Sequence, residues 1–109
     1  AENGKAFLNY EPGDCSIPFP DVPFPEKEWA CYQFAFDGTK KQITEWVNGK
    51  IALGPTTPRG TCWVWPTAVD ALHIGWASYH TPAPIELWID DVVVSDQPIP
   101  CPTSPAAKP

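Results

Sequence analysis

The sequence predicts an all-β fold, an antiparallel β-sandwich, on three observations. Fifteen prolines are scattered through 109 residues, so few windows of helical length escape one. The apolar residues of the clearest windows recur every second position, the repeat of a half-buried strand and not of a helix. The dipeptides Asp37-Gly38 and Asn48-Gly49 fall between such windows, where a hairpin needs left-handed backbone.

Taken in order, Lys5 to Tyr10 reads as a first strand. Glu11 to Glu28 holds Pro12, Pro18, Pro20, Pro23 and Pro25 and reads as extended coil pinned at Cys15. Trp29 to Asp37 alternates, with Tyr32, Phe34 and Phe36 on one face and Cys31, Gln33, Ala35 and Asp37 on the other. Gln42 to Val47 and Lys50 to Leu53 complete a three-stranded meander through the two turns. The loop Gly54 to Gly60 leads to Cys62-Trp63-Val64-Trp65, a short edge strand or rigid loop ended by Pro66. Ala71 to Tyr79 alternates again, with Leu72, Ile74 and Trp76 opposite His73, Gly75 and Tyr79. Ile85 to Ser95 is densest in β-branched residues and carries the strongest strand signal, interrupted by Asp90-Asp91.

This length suits one domain, assigned to residues 1–101, with 102–109 as a Pro- and Ala-rich tail. A hydrophobic fraction of 43% against 18% charged residues places the chain among sequences that fold. Seven Lys and Arg against 13 Asp and Glu give a formal charge of -6, the wrong sign for binding phosphate chains, so nucleic acid is not an expected partner. The same surface favours a neutral glycan over an anionic one. No apolar run reaches the length of a membrane span, and the opening AENGKAF lacks the regions of a signal peptide, which reads as a processed terminus. Cys15, Cys31, Cys62 and Cys101 show no Cys-x-x-Cys spacing and read as two disulfides of a secreted protein. Of the three pairings, Cys15 with Cys62 and Cys31 with Cys101 would each tie an irregular segment to a strand end.

The segments WACYQFAFDG, ITEWVNGK, LHIGWASYH and LWIDDVVVS with a closing cysteine, in that order, resemble the C-terminal half of secreted bacterial jelly rolls. These belong to the concanavalin A-like lectin and glucanase superfamily and are related to fungal glucuronan lyases. The similarity runs from about Tyr10 to Cys101. It implies two curved antiparallel sheets stacked face to face, with a concave face that binds or cleaves a glycan. Members of that group have roughly twice this length. The resemblance therefore implies a half jelly roll completed by a second chain or by a homo-oligomer, or a reduced version closed on itself.

Three groups of residues are candidate sites. Trp63 and Trp65 lie in an expected loop where indoles could stack on sugar rings; the competing reading is a cap on the core. Trp29, Trp46, Trp76 and Trp88 sit beside apolar neighbours and are expected to be buried. His73 and Tyr79 with Gln33 and Glu45 form a polar set on strands expected to be neighbours, the other contacts to carbohydrate. In the lyase relatives a Tyr on a late strand abstracts a proton beside a sugar carboxylate, and Tyr79 resembles that residue loosely. Arg59 is the sole arginine and cannot build a uronate clamp, and the Glu-x-Asp-x-x-Glu pattern of the superfamily's retaining glycosidases is absent. Asp90 and Asp91 are candidate ligands for a structural calcium ion, against a reading in which they bond backbone amides or face water.

The function expected is thus a non-catalytic, secreted carbohydrate-binding or polysaccharide-associated module. The alternatives are a polysaccharide lyase or hydrolase subunit, and a structural cell-surface subunit that pairs through exposed strand edges.

Overall fold

The structure is a computed structural model that describes residues 5–10, 15–23, 25–57, 65, 68–75, 84 and 86–102, the first two segments up to residue 22 by their backbone. Five strands follow one another: β1 (Lys5–Tyr10), β2 (Cys15–Pro23), β3 (Tyr32–Asp37), β4 (Gln42–Val47) and β5 (Lys50–Thr56). They form a two-stranded sheet, β1-β2, and a three-stranded sheet ordered β3-β4-β5, every pairing antiparallel. Among the described residues there is no helix, so the all-β class read from the sequence is the class the structure has.

The meander forms where the alternation and the turn dipeptides put it. Tyr32 faces Val47, Phe34 faces Glu45 and Phe36 faces Ile43, so these six residues share one face of the sheet. Asn48 and Gly49 both have positive φ, 50° and 77°, the backbone of a two-residue hairpin loop. Asn48 also closes the next rung towards β3: its N–H donates to the Cys31 carbonyl at 2.8 Å, and its Oδ1 accepts from the Cys31 N–H at 2.9 Å. The side chain takes the place of a main-chain acceptor there, which is why the regular ladder begins at Tyr32 rather than at Trp29. At the other hairpin, Asp37 Oδ1 accepts from the N–H groups of Thr39 and Lys40, fastening the loop to its own strand.

β5 runs to Thr56, three residues beyond the strand end expected from sequence, because it is bulged twice against β4. Leu53 opposes Glu45 while Ile51 opposes Trp46, which leaves Ala52 as the extra residue; both Ala52 and Leu53 are buried. The second irregularity is at Gly54, whose φ is 85°. A Cβ placed there would lie 2.2 Å from the Ile43 carbonyl oxygen, so only glycine fits this approach to β4.

The sequence reading needs three corrections. The proline-rich stretch after Tyr10 is not coil throughout: Cys15–Pro23 pairs with β1 in the register Leu8 to Ile17 and Tyr10 to Cys15. A two-stranded sheet leaves each strand one edge outside the pairing, where a missing N–H costs no ladder bond, and Pro20 falls where the register shifts between Lys5 and Phe7. Second, residues 71–75 of the expected strand Ala71 to Tyr79 are exposed and in no ladder. Third, residues 86–95, with the strongest strand composition of the chain, are also exposed and in no ladder. β-propensity describes a fit to a pleated neighbour, and it makes no strand where no neighbour is supplied.

Among the described residues the buried apolar ones are Ile43 and Val47 of β4 and Ala52 and Leu53 of β5. β2 lies against β5, which brings the hairpin β1-β2 to the far side of the meander from β3. Cys31 and Cys101 are joined, with sulfurs 2.08 Å apart and Cα atoms 5.9 Å apart, fastening the end of the described chain to the start of β3. Cys62, and with it the pairing expected for Cys15, lies outside the described residues.

Candidate functional site: an aromatic row and a buried acid

Glu45 sits in the middle of the central strand with 1% of its surface exposed, between Ile43 and Val47 in sequence and between Phe34 and Leu53 across the sheet. Tyr32, diagonally opposite on β3, donates its hydroxyl hydrogen to Glu45 Oε2. Oε1 of Glu45 is buried without a hydrogen-bond partner. Burial pushes the Glu45 carboxyl above the ordinary carboxylate range, and the bond from Tyr32 offsets only part of that shift. Burial also pushes the Tyr32 phenol upward, with further contributions from its bond to Glu45 and from that residue's charge. A phenol raised above its ordinary value keeps its proton at neutral pH and acts here as the donor that holds the carboxyl.

The same face carries an aromatic row. Tyr32, Phe34 and Phe36 alternate along β3, which is an edge strand, so their rings recur about every 7 Å. Trp65 extends the row: its ring centre is 4.9 Å from that of Phe36, with the planes inclined by 35°. Phe34 is 55% exposed and Tyr32 47%, so two rings of the row are open to solvent although their strand neighbours on β4 are buried.

The residues expected to form one polar site are not brought together. Gln33 pairs with Trp46 and Glu45 with Phe34, which places Gln33 and Glu45 on opposite faces. Gln33 is engaged by the end of the chain: its Nε2 donates to the Ile99 carbonyl, and its Oε1 lies 2.8 Å from Cys101 Sγ. That sulfur is in a disulfide and has no hydrogen to give, so the second approach is a contact and not a hydrogen bond. His73 is exposed on 71–75. Trp63 and Tyr79 lie outside the described residues. Of the tryptophans expected to be buried, Trp29 and Trp46 are partly so, the Trp29 Nε1 being buried without a partner, whereas Trp88 is 48% exposed.

Asp90 and Asp91 are both exposed. Asp90 Oδ1 accepts from the Asp91 N–H at 2.8 Å, and Asp91 has a left-handed φ of 51°. The break in alternation at this pair is therefore a local backbone turn. Among the described residues no three His, Cys, Asp or Glu side chains gather as a metal site.

The residues missed by sequence reasoning are Tyr32, Phe34 and Phe36. Their alternation is visible in sequence, but only the tertiary arrangement shows that Tyr32 and Phe34 stay half exposed on a strand that pairs on one side alone among the described residues. No family model matches the chain, and no curated protein or solved structure is significantly similar to it.

Proposed function

We propose that the protein is a secreted, non-catalytic module that associates with polysaccharide through the aromatic row of β3. The observation that carries this reading is the row of Tyr32, Phe34 and Phe36 along one edge strand, with Trp65 packed beside Phe36 and with Tyr32 and Phe34 half exposed. Flat rings spaced at a strand repeat offer stacking surfaces to successive units of an extended glycan. The formal charge of -6 favours a neutral polymer. The disulfide fits an extracellular setting. The resemblance to secreted jelly rolls supports a sandwich in which this meander is part of a larger pair of sheets. A calcium ion at Asp90 and Asp91 is not needed for this reading.

Affinity electrophoresis in gels carrying neutral β-linked polysaccharides tests it. Retardation of the wild type, weakened about fivefold to tenfold by Phe34→Ala and by Trp65→Ala, is the expected result. Retardation unchanged in both variants would remove the aromatic row from consideration.

A further inference from the structure

Building on the carbohydrate reading, we infer that Glu45 is a positioning residue for the aromatic row: it anchors the Tyr32 hydroxyl and so fixes that ring in the attitude in which a polysaccharide stacks on it. Glu45 itself touches no ligand. Tyr32 stands opposite Val47, and Glu45 stands opposite Phe34 on a neighbouring rung of the same face. The bond from the Tyr32 hydroxyl to Glu45 Oε2 therefore runs diagonally across the sheet, a span that an aromatic side chain covers. The ring is held at both ends, by its own backbone on the edge strand and by its oxygen on the central strand. The anchor is 1% exposed while Tyr32 is 47% exposed, so the hydroxyl is engaged inside the sheet and ring surface stays open to solvent.

The packing of the sheet gives no reason for an acid at this position. Glu45 alternates with Ile43 and Val47 along β4 and faces Leu53 on β5, and those three residues are all buried. A leucine would complete the same pattern with no polar atom to desolvate. Instead Oε1 is buried without a partner, a cost to stability that is offset only in part by the bond Oε2 accepts from Tyr32. What the carboxyl does supply is an acceptor for the one hydroxyl on the β3 row, since Phe34 and Phe36 have none. A ring locked before the ligand arrives does not lose its rotamer freedom on stacking, which for one side chain is a gain of about threefold to tenfold in affinity.

The test compares affinity electrophoresis with denaturant midpoints for the same full-length variants. The gels carry hydroxyethyl cellulose, mixed-linkage β-glucan or xyloglucan, and the polymer that retards the wild type most strongly is the probe. Glu45→Leu should keep or raise the denaturant midpoint, because it removes a buried carboxyl, yet weaken retardation about threefold to tenfold. Glu45→Gln offers Tyr32 a carbonyl acceptor in the same place and should recover binding to within about twofold of the wild type. Tyr32→Phe keeps the ring and loses the anchor; it should weaken retardation about as much as Glu45→Leu, and the two changes together should weaken it no further. In NMR spectra the Hα–Hβ couplings of Tyr32 should report one χ1 rotamer in the wild type and in Glu45→Gln, and an average in Glu45→Leu. Wild-type retardation in Glu45→Leu, a glutamine variant as weak as the leucine one, additive losses in the double variant, or a single rotamer in all three proteins would each overturn the inference. Any of these alongside a weakened Phe34→Ala leaves the carbohydrate reading standing without it, whereas a wild type that no polymer retards overturns both.

Discussion

Glu45 is the residue on which the meander is most sensitive to its surroundings. It is buried at the centre of the sheet with one oxygen bonded to Tyr32 and the other unpartnered. Its folded pKa is raised, so the unfolded chain gives up this proton at lower pH than the folded one. The stability it contributes is therefore complete below the ordinary carboxyl value of about 4.3 and is lost as pH rises through the higher folded value. Thermal melts of Glu45→Gln should show a flatter dependence on pH from about pH 4 upward than the wild type, since the amide does not ionise. Tyr32→Phe removes the donor to Glu45 Oε2 and should cost about 1–3 kcal/mol in denaturant titration, the penalty of an unsatisfied buried acceptor. Gly54→Ala meets both a left-handed φ and the Ile43 carbonyl, and should lower stability by about 2 kcal/mol or more in the same assay. Sequence groups Glu45 with Gln33, His73 and Tyr79 as a candidate carbohydrate contact. Its register opposite Phe34, and with it its burial, came from the pairing of β3 with β4.

At the scale of elements, the β3-β4-β5 meander was the part most legible in sequence, because alternation and turn chemistry agree there. The Asn48-Gly49 turn is local, and its φ angles follow from the two residue types. The tie from Asn48 to Cys31, by contrast, depends on a strand 17 residues away. Asn48→Gly keeps the left-handed backbone and loses only the side-chain bond, so it should cost about 1 kcal/mol in a thermal melt; Asn48→Ala should cost more, because it adds backbone strain. β2 is hidden in sequence by its prolines, which a two-stranded sheet tolerates because each strand has one edge where a missing N–H costs no ladder bond. The opposite error was made with residues 86–95, where composition promised a strand and the described chain supplies no partner.

Across the whole molecule, the disulfide Cys31–Cys101 spans 70 residues and connects the first strand of the meander to the far end of the described chain. Replacing both cysteines with serine should lower the unfolding free energy by about 2–4 kcal/mol in denaturant titration, because the unfolded chain regains the freedom of that loop. The loss should be accompanied by release of Gln33 from Ile99, seen as faster amide exchange around 97–101. Amino-acid sequence alone determined the all-β class and the places of the two hairpin turns, since strand alternation and turn chemistry are local properties. Only the tertiary structure decided that Tyr32 and Phe34 stay half exposed, that Glu45 is buried and bonded to Tyr32, and that the most strand-like segment joins no ladder among the described residues. Those outcomes depend on what each strand finds beside it in space, and a period-two pattern specifies two faces without saying what will cover either.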